Sequence, residues 1–231
     1  MGFGTQTQSE DNKMKKMLLA ATAIAAAVVF AGSASATDFA GGTISYNVAA
    51  TSDYVFRGIS QTDGDPAIQG GIDYSHGLFY AGAWASNVDF ADYELDLYAG
   101  IKPVYKDFSF DLGAIYYNYN DDSLDSTELK AAVSHPLYKG TIGAAYFYNT
   151  EFDDTEYYEI NGSYPLTSKL SVSGAVGEQK SAGFKYTTEN LGLTYAITPV
   201  FSVDVRASDT NIPEVIKPSA ARLAVTLKAA F

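Results

Sequence analysis

A chain of 231 residues with no cysteine excludes disulfide bridges and thiolate metal sites. Fifteen basic against 27 acidic residues give a formal charge of −12, which argues against nucleic acid as a partner. Mean hydropathy near zero excludes a bundle of membrane-spanning helices, although 18 Tyr and 13 Phe make the chain unusually aromatic.

The first element is a targeting segment. Residues 1–13, "MGFGTQTQSEDNK", read as an extension from a misassigned start. Residues 14–36 follow with Lys15 and Lys16, an apolar core from Leu18 to Ala31, and the small-x-small end Ala34-Ser35-Ala36. That order is a secretory signal peptide cut after Ala36; a retained spanning helix would be longer and less alanine-rich. Cleavage takes two acidic and three basic residues from the 27 and 15, leaving 25 and 12 and a charge of −13.

From residue 37 to 231 the dominant pattern is alternation with period two, the signature of strands that meet different surroundings on their two faces. Twelve such segments follow one another at 43–59, 66–75, 78–89, 93–102, 107–119, 127–135, 141–151, 156–164, 169–179, 184–196, 200–208 and 220–231. Their connections alternate between short turns ("SHGL", "HPLYKG", "YPLTSK", "ITPV") and polar, mostly acidic loops ("QTDGD", "DFADYE", "NYNDDSLDS", "NTEFDDTE", "EQKSAG", "DTNIPEVIKPSA"). Regular sorting of loops by length predicts an all-β fold: a transmembrane, antiparallel, up-and-down β-barrel of about 12 strands. Lipid leaves no backbone group unpaired, so the strands must close on themselves.

Aromatic residues gather near both strand ends. Tyr105, Phe108, Tyr138, Tyr164, Tyr195, Phe201 and Phe231 lie by the short turns; Tyr54, Phe56, Phe90, Tyr93, Tyr119, Tyr148, Phe152 and Tyr158 lie by the long loops. Two girdles at the two membrane interfaces are the expectation. In the first segment parity puts Tyr54 and Phe56 on the lipid side with Ile44, Tyr46 and Val48, and Asp53 and Arg57 on the luminal side with Ser45 and Asn47. Arg57 facing lipid would cost a few kcal/mol at midplane depth, so it points inward. It reads either as half of a luminal ion pair or as a constriction residue that touches solute. The same parity gives the full set of expected lumen-lining charges: Asp53, Arg57, Asp73, Glu94, Asp96, Asp111, Glu128, Lys130, Glu159, Asp204, Arg206 and Arg222. At the chain end Leu223, Val225, Leu227 and Phe231 resemble the assembly signal of bacterial outer-membrane proteins, which implies the barrel-assembly machinery as a partner.

"SDYVFRGISQTDGDPAIQGGIDYSHGLFYAGAWASNVDF", continued by "ELDLYAGIK" and "LGAIYYNY", resembles the TorF family of porins, a proteobacterial family long described as conserved hypothetical. The matching residues are Ser52-Asp53-Tyr54, Arg57-Gly58-Ile59-Ser60-Gln61, Pro66-Ala67, Gln69-Gly70 and Trp84-Ala85-Ser86-Asn87; the likeness is specific over residues 44–120. It implies an outer-membrane barrel with porin function and brings no established site residues.

Barrels can also be enzymes, so the reactive side chains matter. His76 and His135 both sit at short turns, beside Ser75 and Ser134. Adjacent strand residues face opposite ways, so neither Ser–His pair forms a hydrolytic couple. Two histidines without cysteine make a poor zinc site. "NDDSLDS" and "EFDDTE" lack calcium-loop spacing and read as solvated loop charge, open to weak divalent bridging with lipopolysaccharide phosphates. No cofactor is expected. The expected activity is passive diffusion of small hydrophilic solutes or ions across the bacterial outer membrane, amid lipid and lipopolysaccharide. A structural or adhesive barrel with a plugged lumen is the alternative, and a barrel enzyme the less favoured one.

Overall fold

The computed structural model describes residues 37–181, 183–213 and 217–231; the extension and signal peptide expected at 1–36 lie outside them. Twelve long strands run in chain order: β1 Gly42–Thr51, β2 Ala67–His76, β3 Phe79–Ser86, β4 Glu94–Ile101, β5 Phe108–Tyr119, β6 Ser126–Leu137, β7 Gly140–Asn149, β8 Glu156–Pro165, β9 Leu170–Ser181, β10 Phe184–Ala196, β11 Phe201–Thr210 and β12 Arg222–Ala230. Each pairs antiparallel with its sequence neighbours. β12 returns to β1, Thr226 opposite Thr51 and Ala230 opposite Asn47, and closes the barrel. Phe231 completes the seam: its amide donates to the Tyr46 carbonyl at 2.8 Å and its carbonyl accepts from the Tyr46 amide at 2.9 Å.

Alternation produces two surfaces. On β7, Ile142, Ala144, Tyr146 and Tyr148 are exposed outside, while Gly143, Ala145, Phe147 and Asn149 are buried inside. Leu223, Val225, Leu227 and Phe231 stand on the outer face of the barrel's seam. Small inward residues make room for large ones: a Cβ on Gly82 would lie 2.5 Å from the Tyr98 ring, so that ring lies flat on the wall.

Three expectations are corrected. The first strand stops at Thr51, not at 59. Ser52 exchanges two bonds with Val225 of β12, its amide donating at 2.9 Å and its Oγ accepting at 3.0 Å, and there the chain leaves the wall. Consequently Tyr54 and Phe56 are buried inside the barrel rather than facing lipid, and so is Tyr119, which shares its parity with Ile115 and Tyr117. Phe90 also turns inward and packs on Tyr119 at 5.5 Å between ring centroids. Tyr93, Tyr148 and Tyr158 remain exposed at the long-loop end, and all seven aromatics expected at the short-turn end are exposed. Finally, "EQKSAG" is no long loop: β9 runs to Ser181 and β10 begins at Phe184.

Candidate functional site: the lumen and its plug

Residues 53–62 do not stand above the barrel; they fold down into it, while 63–66 stay exposed at the mouth. Val55–Phe56 pairs with Ile59–Ser60 as a two-residue hairpin whose turn is Arg57-Gly58. Both turn residues have positive φ, 43° and 79°, as such a tight turn requires. Glycine is also demanded sterically, since a Cβ on Gly58 would meet Thr210 Cγ2 at 2.3 Å and the Asp209 carbonyl at 3.0 Å. The tip of the hairpin is therefore seated against the end of β11.

Asp53 organises the base of this hairpin. Its carboxylate accepts from Ser60 Oγ at 2.6 Å, Thr62 Oγ1 at 3.2 Å and Arg222 Nη1 of β12 at 2.8 Å. The Gln61 amide closes back on the Tyr54 carbonyl at 2.7 Å, and the Asp89 amide donates to the Gln61 carbonyl at 2.8 Å. Apolar contacts complete the seat. Tyr54, Phe56, Ala67 and Val88 form one buried cluster, with Trp84 edge-on to Tyr54 at 5.4 Å; Ile59, Tyr186 and Ile212 form another.

The arginine at the tip is 9% exposed and caged. Its two terminal nitrogens donate to both oxygens of Glu128 (β6), Nη1 to Oε1 at 2.9 Å and Nη2 to Oε2 at 2.8 Å, and Nη1 also donates to Gln179 Oε1 (β9) at 2.9 Å. Three rings surround the guanidinium carbon: Tyr157 at 4.2 Å, Phe56 at 4.6 Å and Phe147 at 4.9 Å. Tyr117 fixes the counter-ion, its hydroxyl donating to Glu128 Oε2 at 3.1 Å. Burial by itself would loosen the guanidinium's proton, but the charge and hydrogen bonds of Glu128 more than reverse this and raise its pKa above the ordinary arginine value. A bidentate, ring-stacked guanidinium is the arrangement for which lysine is no substitute.

Beside the cage, Glu94 and Asp96 of β4 are fully buried, at 0% and 1% exposure. The Tyr54 hydroxyl reaches Glu94 Oε1 at 3.4 Å, and the Glu94 carboxyl also interacts with Tyr119 and with Asp96. Burial, then the neighbouring Glu94 and Asp96 charges, push the Tyr54 hydroxyl well up, so it stays a donor.

Toward the short-turn end the lumen is wetter. Lys130 pairs with Asp111 at 2.8 Å, and Tyr80 donates to the same carboxylate at 2.7 Å. Tyr98 donates to Asp73 at 2.6 Å. Arg206 spans Asp204 at 3.1 Å, Asn190 at 2.7 Å and Ser173 at 2.9 Å. Glu159 accepts from Tyr157 at 3.0 Å and Asn161 at 2.8 Å.

The structure thus sorts the twelve charges singled out by parity. Glu94 and Glu128 bond to the plug, with Asp96 beside Glu94; Asp73, Asp111, Lys130, Glu159, Asp204 and Arg206 line the wetter half; Arg222 ties the plug's base, at Asp53, to β12. Asp53 and Arg57 belong to the plug itself, not to a strand of the wall. Gln179, Phe147, Tyr157 and Tyr117 escape a reading based on charge, although each sits at inward parity on its strand. His76 ends β2 at an exposed turn, and the His135 ring packs tilted against Phe108 at 4.7 Å between centroids. Among the described residues no three His, Asp or Glu side chains converge on a metal-sized site.

The family model of Gcw_chp, a bacterial protein of unknown function, matches residues 35–231. The chain belongs to the Gcw_chp family. No curated protein matches its sequence. Several solved structures share the Gcw_chp chain's architecture. The KdgM porin aligns with TM-score 0.60 and 10% identity over 81% of this chain and 98% of its own. The NanC porin, in a rhombohedral crystal form, gives TM-score 0.59 and 10% identity over 80% and 98%. An outer-membrane channel from Pseudomonas putida F1 gives 0.51 and 13% over 84% and 96%. At these identities the likeness is one of fold.

Proposed function

We propose that this Gcw_chp protein is a gated, porin-like channel of the bacterial outer membrane. Small hydrophilic solutes or ions would cross it passively once the 52–66 loop withdraws. One observation carries the reading: half of the lumen is lined by partly hydrated charges, while the other half is filled by a loop held through polar and apolar side-chain contacts rather than by a strand of the wall. The likeness in fold to porins and the resemblance of residues 44–120 to TorF porins support it. In this reading the signal peptide at 14–36 exports the chain, and the barrel-assembly machinery reads Leu223, Val225, Leu227 and Phe231. The short turns face the periplasm, and the long acidic loops meet lipopolysaccharide. The activity is passage, not catalysis.

Planar-bilayer recording of refolded protein tests this. The wild type is expected to conduct weakly with brief openings, and Arg57→Ala to stay open several-fold longer. The burial of the plug favours a second reading, a permanently closed structural or adhesive barrel. That reading requires every plug variant to remain silent.

A further inference from the structure

The Arg57 cage is built like a receptor. Its wall is independent of the loop that fills it: Glu128, Gln179, Phe147 and Tyr157 come from β6, β9, β7 and β8, four strands of a closed barrel. These groups present one carboxylate edge, one amide oxygen and two ring faces, spaced for a flat cation with two parallel N–H donors. The wall is also shaped for this purpose. A Cβ on Gly177 would strike the Tyr157 hydroxyl at 2.4 Å, so glycine there is what lets Tyr157 lie over the guanidinium. The occupant hangs on a hairpin held to the wall by side-chain contacts, without a β-ladder to any barrel strand.

We propose that the cage is a binding site for guanidinium-bearing solutes, with Arg57 as its built-in occupant. This rests on the channel reading and adds the solute class to it. A free arginine or other alkylguanidine would compete with Arg57 for Glu128, displace the hairpin and open its own path. The approach favours cations: Asp63, Asp65, Asp89, Asp92, Asp122, Asp153 and Asp154 are exposed on the long-loop end. Beyond the cage, Glu94, which the Tyr54 hydroxyl of the plug reaches at 3.4 Å, adds a further acidic group beside a vacated plug site. Ammonium solutes such as lysine carry a compact charge, which cannot bridge both Glu128 oxygens in plane or stack between the two rings.

The single tryptophan makes the test direct, because Trp84 touches Tyr54 of the plug and reports its seating by fluorescence. Arg57→Ala protein in detergent micelles, with its fold checked by heat-modifiable gel mobility, is titrated with arginine, lysine or sodium at matched ionic strength. The expected result is a saturable change of the Trp84 signal with arginine, half-complete on the order of 1 mM. Lysine should be weaker by about tenfold or more. Adding Glu128→Gln should abolish the arginine response. Equal responses to arginine and lysine, no response, or a response that survives Glu128→Gln would each overturn the site.

Wild-type protein supplies an independent reading should Arg57→Ala fail to fold. Arginine, and not lysine, should lengthen its channel openings, and equal effects of the two would overturn the site. The two proposals separate cleanly. An Arg57→Ala barrel that conducts but ignores arginine removes the binding site and leaves the channel. One that binds arginine without conducting removes the channel and leaves the site.

Discussion

The two halves of the lumen use the same strands, the same alternation and the same kinds of ion pair, yet their side chains live in different media. In the Arg57–Glu128 pair the side chains are 3% and 1% exposed; in the Lys130–Asp111 pair, one step down β6, they are 18% and 20% exposed. Wall side chains at Tyr117, Phe147 and Tyr157 crowd the first pair, but they do not by themselves close that half of the lumen. The inserted hairpin does, by excluding water from one half. Removing one partner of a fully buried pair strands a charge and costs about 3–5 kcal/mol, whereas a hydrated pair is worth about 0–1 kcal/mol. The plug therefore turns ordinary luminal charges into a latch, and the wetter half leaves its charges open to water.

The largest expected effect breaks that contrast at the latch. Glu128→Ala leaves Arg57 buried without its counter-ion and should destabilise the closed state by about 3–5 kcal/mol. Conductance should rise and heat-resistant gel mobility should be lost at a lower temperature. Replacing both partners by apolar residues, Arg57→Met with Glu128→Leu, should restore closure, giving a large coupling in a double-mutant cycle. A Glu128→Ala effect no larger than that of Lys130→Ala would show that burial does not distinguish the halves.

A backbone change comes next. Gly58→Ala forces a side chain into a left-handed position facing Thr210 and should unseat the plug, at about 1–3 kcal/mol. Gly77, at the short-turn end, has a positive φ of 58°, but a methyl group there would meet nothing within 4 Å, so Gly77→Ala should leave gating unchanged. Equal gating changes from the two would mean that the Gly58 contact does not hold the hairpin.

Smaller still is the wetter half. Lys130→Ala should cost at most about 1 kcal/mol while shifting the channel further toward cations, read as reversal potential under a KCl gradient. A gating change as large as that of Arg57→Ala would erase the distinction between latch and lining.

The smallest effect belongs to the mouth. Asp122, Asp153 and Asp154 are exposed, and replacing all three by Asn should weaken cation preference only at low salt, because such charges are screened over about 8–10 Å at physiological ionic strength. Asp125 is a poor choice for this test, since it accepts from Tyr116 at 2.6 Å, Asn118 at 3.0 Å and the Tyr119 amide at 2.9 Å and so holds the loop together. Anion preference persisting at low salt would contradict the charge layout.

How much of this was legible in the chain follows from the physics of alternation. Period two is a local property of a strand with two solvents, so the twelve strands and their order can be read residue by residue, and the same parity nominates the inward charges from Asp73 to Arg222. Parity even holds the clue to Tyr119: its place near a loop suggests the outer girdle, yet it alternates in step with the inward Ile115 and Tyr117. The plug is not legible. "TSDYVFRGISQT" continues the β-like alternation of the first strand, and nothing in those twelve letters marks the point at Thr51 where the chain leaves the wall. What drives the departure is long-range: Ser52 bonds to Val225, Asp53 to Arg222, and Arg57 to Glu128 and Gln179, partners 71 to 173 residues away in the chain. A closed barrel is written into the sequence, because alternation and backbone pairing are local demands that every strand meets on its own. Whether the lumen is open or sealed is settled in three dimensions, by one loop finding a cage that distant strands assemble only once the barrel has closed.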